Sequence, residues 1–235
     1  MTGDDSIQGL KVAITGGTSG LGLALVRALG ERGAEVAFAA RTPRRVEEVA
    51  ADNSGTHGFV GDVSSKADTH PLAMSLTAAL GGLDVLVNNA SSLGPVPLAL
   101  LADTECEELE EAFATNLVGP FRLTKAVLGA LSASAREGRP ALVINIVSDA
   151  ALTPYAGWGA YGASKAALLH LSRIWDEELK EHGVRVLAVD PGDMDTPMHA
   201  AAIPDADPAT LKRPADSARE ILELIESHVT DAVPA

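Results

Sequence analysis

Lys11-Val12-Ala13-Ile14-Thr15-Gly16-Gly17-Thr18-Ser19-Gly20-Leu21-Gly22-Leu23 is the stretch whose reading decides the fold. A short apolar run ends in a cluster of glycines, after which apolar residues return at helical spacing at Leu23, Val26 and Leu29. The order is strand, Gly-rich turn, helix start. Glycines let a backbone turn tightly and approach a pyrophosphate closely, and free N–H groups at a helix start complement its charge. The glycines fall differently from the G-x-G-x-x-G pattern, so the motif draws its weight from the strand before it and the helix after it.

Working outward, apolar β-type runs at 11–15, 35–40, 56–60, 85–88, 141–147 and 185–189 alternate with helical patterns at 21–32, 43–52, 67–80, 104–135, 157–182 and 215–229. This alternation predicts an α/β fold of Rossmann type, a doubly wound parallel sheet of six to seven strands with helices on both faces. The strands are mostly apolar on both sides, as strands covered by helices must be. The length of 235 residues suits a single domain spanning 1–235. Residues 191–214 carry Pro197, Pro204 and Pro208 without a clear period and are read as a long loop, a candidate lid on the substrate side.

Composition narrows the function. With 46% hydrophobic and 21% charged residues the chain has an ordinary globular balance. A formal net charge of −14 opposes nucleic-acid backbones and anionic lipid heads, so neither is an expected partner. No apolar run reaches the roughly 20 residues of a membrane span, and the acidic stretch from Met1 to Gln8 has neither the basic nor the apolar part of a secretion signal. A cytoplasmic location is expected. The single cysteine, Cys106, stands among Glu105, Glu107 and Glu108, which raise a thiol pKa, and it is read as a structural or surface cysteine. No metal is expected.

The second strand ends in Ala40-Arg41, where dinucleotide folds meet the adenosine ribose. An acidic residue there would accept from a free 2′-hydroxyl. Arg41 instead offers a guanidinium fork suited to a 2′-phosphate, with Arg44 and Arg45 behind it, so NADP is favoured over NAD.

With these residues in hand the chain resembles the short-chain dehydrogenase/reductase family from Lys11 to about Thr196. Thr15, Gly16, Thr18, Ser19, Gly20, Leu21 and Gly22 fall on its T-G-x-x-x-G-x-G segment, and Asp62-Val63 on its adenine-contacting pair. Asn88-Asn89-Ala90 matches its N-N-A segment, with Asn89 and Ala90 toward the cofactor. Pro191, Gly192, Met194 and Thr196 match its nicotinamide-side loop, and Asn116, Ser148, Tyr161 and Lys165 fall where its catalytic four stand. The resemblance implies a carbonyl reductase or alcohol dehydrogenase acting on a small-molecule carbonyl or alcohol. Tyr161 would be the acid/base and Ser148 would orient the substrate oxygen. Lys165 would lower the phenol pKa and bind the ribose, and Asn116 would hold a water leading from Lys165 to solvent.

Tyr161 and Lys165 are four residues apart on a predicted helix and so share a face. A free tyrosine titrates near pH ~10 and burial raises it, so acid/base work near neutrality needs a close positive charge worth about 4 kcal/mol for three units. Pro120 has no N–H for the Asn116 carbonyl, which predicts a kinked helix beside Gly119.

The chain departs from the family pattern at Ser91, commonly glycine, and at Asp149, commonly small and neutral. Asp149 is expected to face solvent, with contact to a polar substrate as the alternative. Few residues follow Val229, so a seventh strand is doubtful, and a homodimer through the 104–135 and 157–182 helices is favoured over a tetramer. Pro154-Tyr155-Ala156-Gly157-Trp158 and Asp195-Thr196-Pro197-Met198 are similar to the sepiapterin and benzil reductase branch. That similarity implies an apolar pocket of Leu152, Tyr155, Trp158 and Met198, although plain loop packing explains Tyr155 and Trp158 equally well. The acidic residues Asp193, Asp195, Asp205 and Asp207 of the loop would disfavour anionic acyl-carrier or coenzyme A substrates. Two other functions compatible with the pattern are a non-catalytic NADP-binding regulatory protein and a sugar-nucleotide epimerase or dehydratase that retains its cofactor.

Overall fold

A computed structural model of the chain describes residues 7–232. The sheet contains β1 (Lys11–Thr15), β2 (Glu35–Ala40), β3 (Thr56–Val60), β4 (Val85–Asn88), β5 (Leu142–Ile146) and β6 (Arg185–Val189). All pairings are parallel and the order is β3-β2-β1-β4-β5-β6. The order reverses between β1 and β4, and the crevice beyond the carboxyl ends of these two strands is where such sheets take their ligands.

The inner strands β2, β1, β4 and β5 bury both faces, in two cores that follow the period of two along each strand, whereas the edge strands β3 and β6 are only partly buried. On β1, Val12 and Ile14 join one core and Ala13 the other. The first core is closed by α1 (Gly20–Glu31), α2 (Pro43–Asp52) and α8 (Pro214–Ala232), and the second by α3 (Lys66–Leu80), α5 (Gly119–Arg136) and α6 (Gly159–Leu179). Local chemistry sets the ends. Ser65 caps α3 by accepting from the Asp68 N–H, and Gly81, left-handed at φ 60°, ends it. Glu105 and Glu108 form a reciprocal capping box at the start of α4 (Cys106–Phe113).

Two expectations need correction. The predicted helix 104–135 is not uniform: α4 and α5 are separated by a π turn over Ala114–Val118, in which the Gly119 N–H reaches back five residues to the Ala114 carbonyl. Pro120 is the physical reason, since a residue without N–H cannot continue the ladder. Residues 191–214 are also not structureless. They hold α7 (Pro197–Ala202), capped by Thr196, and a 3-10 turn at Pro208–Thr210, with Met194 bridging to Lys212. Among the described residues the sheet has six strands, and α8 continues through the region where a seventh was doubted. Residues 1–6 and 233–235, on which the start of the acidic amino-terminal stretch and the end of the tail fall, lie outside the described residues.

Asp84 ties the layers together below the site. Its carboxylate, 2% exposed, accepts from the Lys11 N–H at 2.9 Å, from Arg139 Nη1 at 2.7 Å and from the Ser134 hydroxyl. It thereby joins the start of β1, the approach to β4 and the end of α5. Asp84→Ala leaves these donors unpaired and is expected to cost about 3 kcal/mol. A urea-unfolding midpoint within a few tenths molar of wild type would remove the carboxylate from this role.

Candidate active site

The cleft at the switch point holds about 590 Å³ and is walled by the segments that follow all six strands. Its shape at the amino end of α1 depends on glycine. A Cβ on Gly22 would stand 2.2 Å from the Gly16 carbonyl oxygen and 2.5 Å from Asn89 Nδ2. Gly16, at φ 72°, adopts the left-handed conformation that β-carbon sterics discourage. Thr15, 2% exposed, fastens this turn to β4: its hydroxyl accepts the N–H groups of Asn89 and Ala90, each at 3.0 Å. Asn89 Nδ2 returns a bond to the Thr15 carbonyl at 2.9 Å. Thr15 and Gly22 therefore shape the cradle without lining it, whereas Gly16, Thr18, Ser19, Gly20, Leu21, Asn89 and Ala90 face the cleft.

At the end of β2, Arg41 borders the cleft together with Arg45. Arg44 turns to Glu48, 2.8 Å away on the exposed side of α2. Arg44 and Arg45 stand together behind Arg41 in the sequence, and the roughly 100° between adjacent helix positions separates their roles. Asp62 and Val63 follow β3 at the cleft edge, with Asp62 Oδ1 held by the N–H and hydroxyl of Ser64 at 2.9 and 2.8 Å. Pro191, Gly192, Met194 and Thr196 form the opposite wall, steadied by the bond from the Ser217 hydroxyl to the Pro191 carbonyl at 2.8 Å.

Ser148, Tyr161 and Lys165 meet at the floor. Lys165 is 2% exposed, and its Nζ donates to the Ile146 carbonyl at 2.7 Å while lying 5.5 Å from the centre of the Tyr161 ring. Trp158 packs edge-on against that ring at 5.6 Å. Desolvation acts on both titrating groups. Burial pushes the Tyr161 phenol up to about 12, opposed by hydrogen bonds with Ser148 and Ser91 and reinforced by the charges of Asp190 and Asp149, and it pulls Lys165 down to about 7. The burial that brings the two groups together penalises the charge of each.

Asn116 does not line the cleft. Its fully buried side chain donates to the Ser92 carbonyl and the Ser164 hydroxyl, both at 2.8 Å. It accepts from the Ser91 hydroxyl at 3.0 Å and the Ser92 N–H at 2.8 Å. All four amide positions are engaged by protein, and the π turn supplies the bend that brings them there. Ser91, a departure from the family pattern, itself faces the cleft.

Asp149 is exposed, as expected, and also borders the cleft. It accepts from the Ser148 hydroxyl at 2.9 Å and the Tyr155 hydroxyl at 2.7 Å. The Tyr155 bond above all, helped by the Ser148 and Ala150 bonds, holds its carboxyl below the usual carboxylate range against the opposing effect of desolvation. Tyr155, Trp158 and Met198 border the cleft, whereas Leu152 is 75% exposed and lies outside it. Of the four acidic loop residues only Asp193 borders the cleft, and Asp207 is spent on capping the Ala209 N–H. Among the described residues no cluster of three potential metal ligands occurs, and no helix is long and apolar enough to cross a membrane.

Comparison with known proteins agrees with this geometry. Residues 11–207 match the family model of the short chain dehydrogenases. The chain is 31% identical to the 2,3-dihydro-2,3-dihydroxybenzoate dehydrogenase of Bacillus subtilis over 82% of this chain and 72% of that protein. It is 32% identical to the 3-oxoacyl-(acyl-carrier-protein) reductase of Vibrio cholerae over 88% and 82%. Among solved structures, the 3-ketoacyl-(acyl-carrier-protein) reductase of Brucella melitensis complexed with NADH superposes with a TM-score of 0.86 at 25% identity, covering 93% of this chain and 91% of that one. A short chain dehydrogenase of Escherichia coli complexed with NADPH gives 0.84 at 25% identity, covering 96% and 92%.

Proposed function

The chain belongs to the short-chain dehydrogenase/reductase family, whose members are oxidoreductases using a nicotinamide cofactor, and we propose that it interconverts a small carbonyl compound and its alcohol with NADP(H). The observation that carries this reading is the meeting of Tyr161, Lys165 and Ser148 on the floor of the cleft beside the glycine turn. The cradle suits a dinucleotide, since its turn closes against Asn89 and Ala90 only while Gly16 and Gly22 carry no side chain, which leaves the backbone open to the cleft. The N–H groups at the start of α1 would hold the diphosphate and Asp62 the adenine. Lys165 would hold the nicotinamide ribose, and Pro191, Gly192, Met194 and Thr196 the nicotinamide face. When bound, NADP(H) supplies or accepts the hydride.

The proton is the protein's task. In reduction Tyr161 gives its phenolic proton to the substrate oxygen while Ser148 orients that oxygen. A phenol held near 12 keeps its proton across the neutral range but releases it poorly, so the acid role calls for nearby positive charge to lower it. Lys165, near 7, is a proton carrier close to neutrality. The amide of Asn116 is saturated, so a water path from Lys165 to solvent would use its main-chain carbonyl, freed by Pro120. Residues 191–214 act as the lid over the substrate. A homodimer would form on the faces of α5 and α6, a reading supported by exposed Phe121, which stacks on Trp175, and by exposed Ile174. The short similarity to the sepiapterin and benzil reductases supports diketones and cyclic ketones as first candidates.

Purified protein is expected to oxidise NADPH, followed at 340 nm, on a panel of diketones, cyclic ketones, sugars and steroids; silence across the panel would overturn the proposal. The preference for NADPH rests on Arg41 and Arg45. Losing one charge-assisted contact to a 2′-phosphate costs about 1.5–3 kcal/mol, so Arg41→Ala is expected to lower the NADPH-to-NADH affinity ratio about tenfold or more. An unchanged ratio removes Arg41 from this role.

A further inference from the structure

Ser148 has one hydroxyl proton, and it is directed at Asp149. A carboxylate only accepts, so the 2.9 Å contact to Asp149 Oδ1 fixes Ser148 as donor, while the serine oxygen accepts the Ala150 N–H at 3.2 Å. The other carboxylate oxygen is held by the Tyr155 hydroxyl at 2.7 Å. In this arrangement the serine cannot offer its proton to a substrate carbonyl. It becomes free when another donor satisfies Asp149. Each carboxylate oxygen has capacity for a further bond, and Asp149 stands on the cleft wall next to the serine.

The donor that fits is one carried by the substrate, on the carbon beside its carbonyl. Such a group would reach Asp149 when the carbonyl oxygen lies between Ser148 and Tyr161. Asp190 and Asp193 border the same end of the cleft, so a carboxylate substituent there meets like charge, while Trp158, Met198 and Leu93 offer an apolar surface for the carbon skeleton. Resting on the reductase reading above, we propose that Asp149 is a specificity-determining residue that selects α-hydroxy ketones, and vicinal diols in the oxidative direction, over plain ketones and α-keto acids. A substrate hydroxyl bonded to Asp149 leaves Ser148 free to turn to the carbonyl oxygen. A ketone without that hydroxyl must break the Ser148–Asp149 bond uncompensated.

The test uses the whole chain with NADPH and three aryl probes of similar size: 2-hydroxyacetophenone, propiophenone and phenylglyoxylate. The hydroxy ketone is expected to exceed propiophenone in kcat/KM by about tenfold or more, the scale of one hydrogen bond to a charged group, with phenylglyoxylate slowest. Asp149→Ala is expected to bring the first two within about threefold of each other, and Asp149→Asn, which keeps an acceptor oxygen, to lie between. Comparing ratios between wild type and variant cancels the intrinsic reactivity of the probes. Equal rates in wild type, or a preference that survives Asp149→Ala, overturn this inference and leave the reductase reading standing. No turnover on any of the three probes also overturns this inference, whereas the reductase reading falls only with silence across the wider carbonyl panel.

Discussion

Tyr161→Phe is expected to lower kcat for carbonyl reduction by about 10²–10⁴-fold, the contribution of a positioned general acid, while NADPH affinity stays within about twofold. The substitution removes one oxygen and leaves the ring that packs against Trp158 and Lys165, so the folded structure has no reason to change. The loss therefore has to appear in kcat rather than in the unfolding midpoint. The direction of the phenol shift adds a second readout. With the group pushed up to about 12, reduction, which needs the protonated form, is expected to show no acid limb from Tyr161 between pH 6 and 9. Oxidation, which needs the phenolate, is expected to rise with pH over the same range until nearby positive charge brings the phenol down. A variant that keeps kcat within threefold of wild type would assign the proton to another group, and Ser148, already committed to Asp149, is poorly placed to take it.

The parts of this molecule that repeat a period were legible in its residues. β1, β2, β3, β4 and β6 lie where the β-type runs of the sequence put them; the inner strands are largely apolar because both their faces are covered, and the edge strands β3 and β6 are bounded by Gly55, Gly61 and Asp190. What escaped was decided by contacts between segments distant in sequence. α7 is only six residues long and shows too little period, yet Met198 and Ala202, four apart, pack toward Tyr161. The kink at Pro120 was legible from the missing N–H, but its form was not, since a π turn depends on what the bulged residues touch, here Asn116 against Ser91, Ser92 and Ser164. Leu152 lies outside the pocket, and Asp149, although exposed, borders it. Apolarity suggested the leucine for the pocket and charge suggested solvent for the aspartate, but the 3-10 turn Asp149–Ala151 sets the carboxylate under two hydroxyl donors and leaves Leu152 outside. The separation of Arg45 from Arg44 could have been found from helical phase alone, because adjacent helix positions are about 100° apart.

Lys165→Met is expected to abolish turnover and at the same time to stabilise the folded chain at neutral pH. Burial lowers the ammonium from its ordinary 10.5 to about 7, a difference worth about 5 kcal/mol against the charged form. The sign follows from proton binding. Between pH 7 and 10.5 the unfolded chain holds a proton on Lys165 that the folded chain does not, so wild-type stability gains from rising pH across that window and carries the full penalty below it. Methionine fills a similar volume without charge but gives up the 2.7 Å bond from Nζ to the Ile146 carbonyl, which costs about 1–3 kcal/mol. The balance at pH 6.5 is a gain of about 2 kcal/mol for the variant, read from urea-unfolding midpoints, and by pH 9.5 the gain is expected to vanish or reverse. Turnover should fall by at least about 10²-fold at both pH values, since neither the ribose contact nor the proton carrier survives the exchange. A variant less stable than wild type at pH 6.5 would mean that the lysine is held by compensating charge rather than by desolvation, and the proton path drawn from it would have to be abandoned.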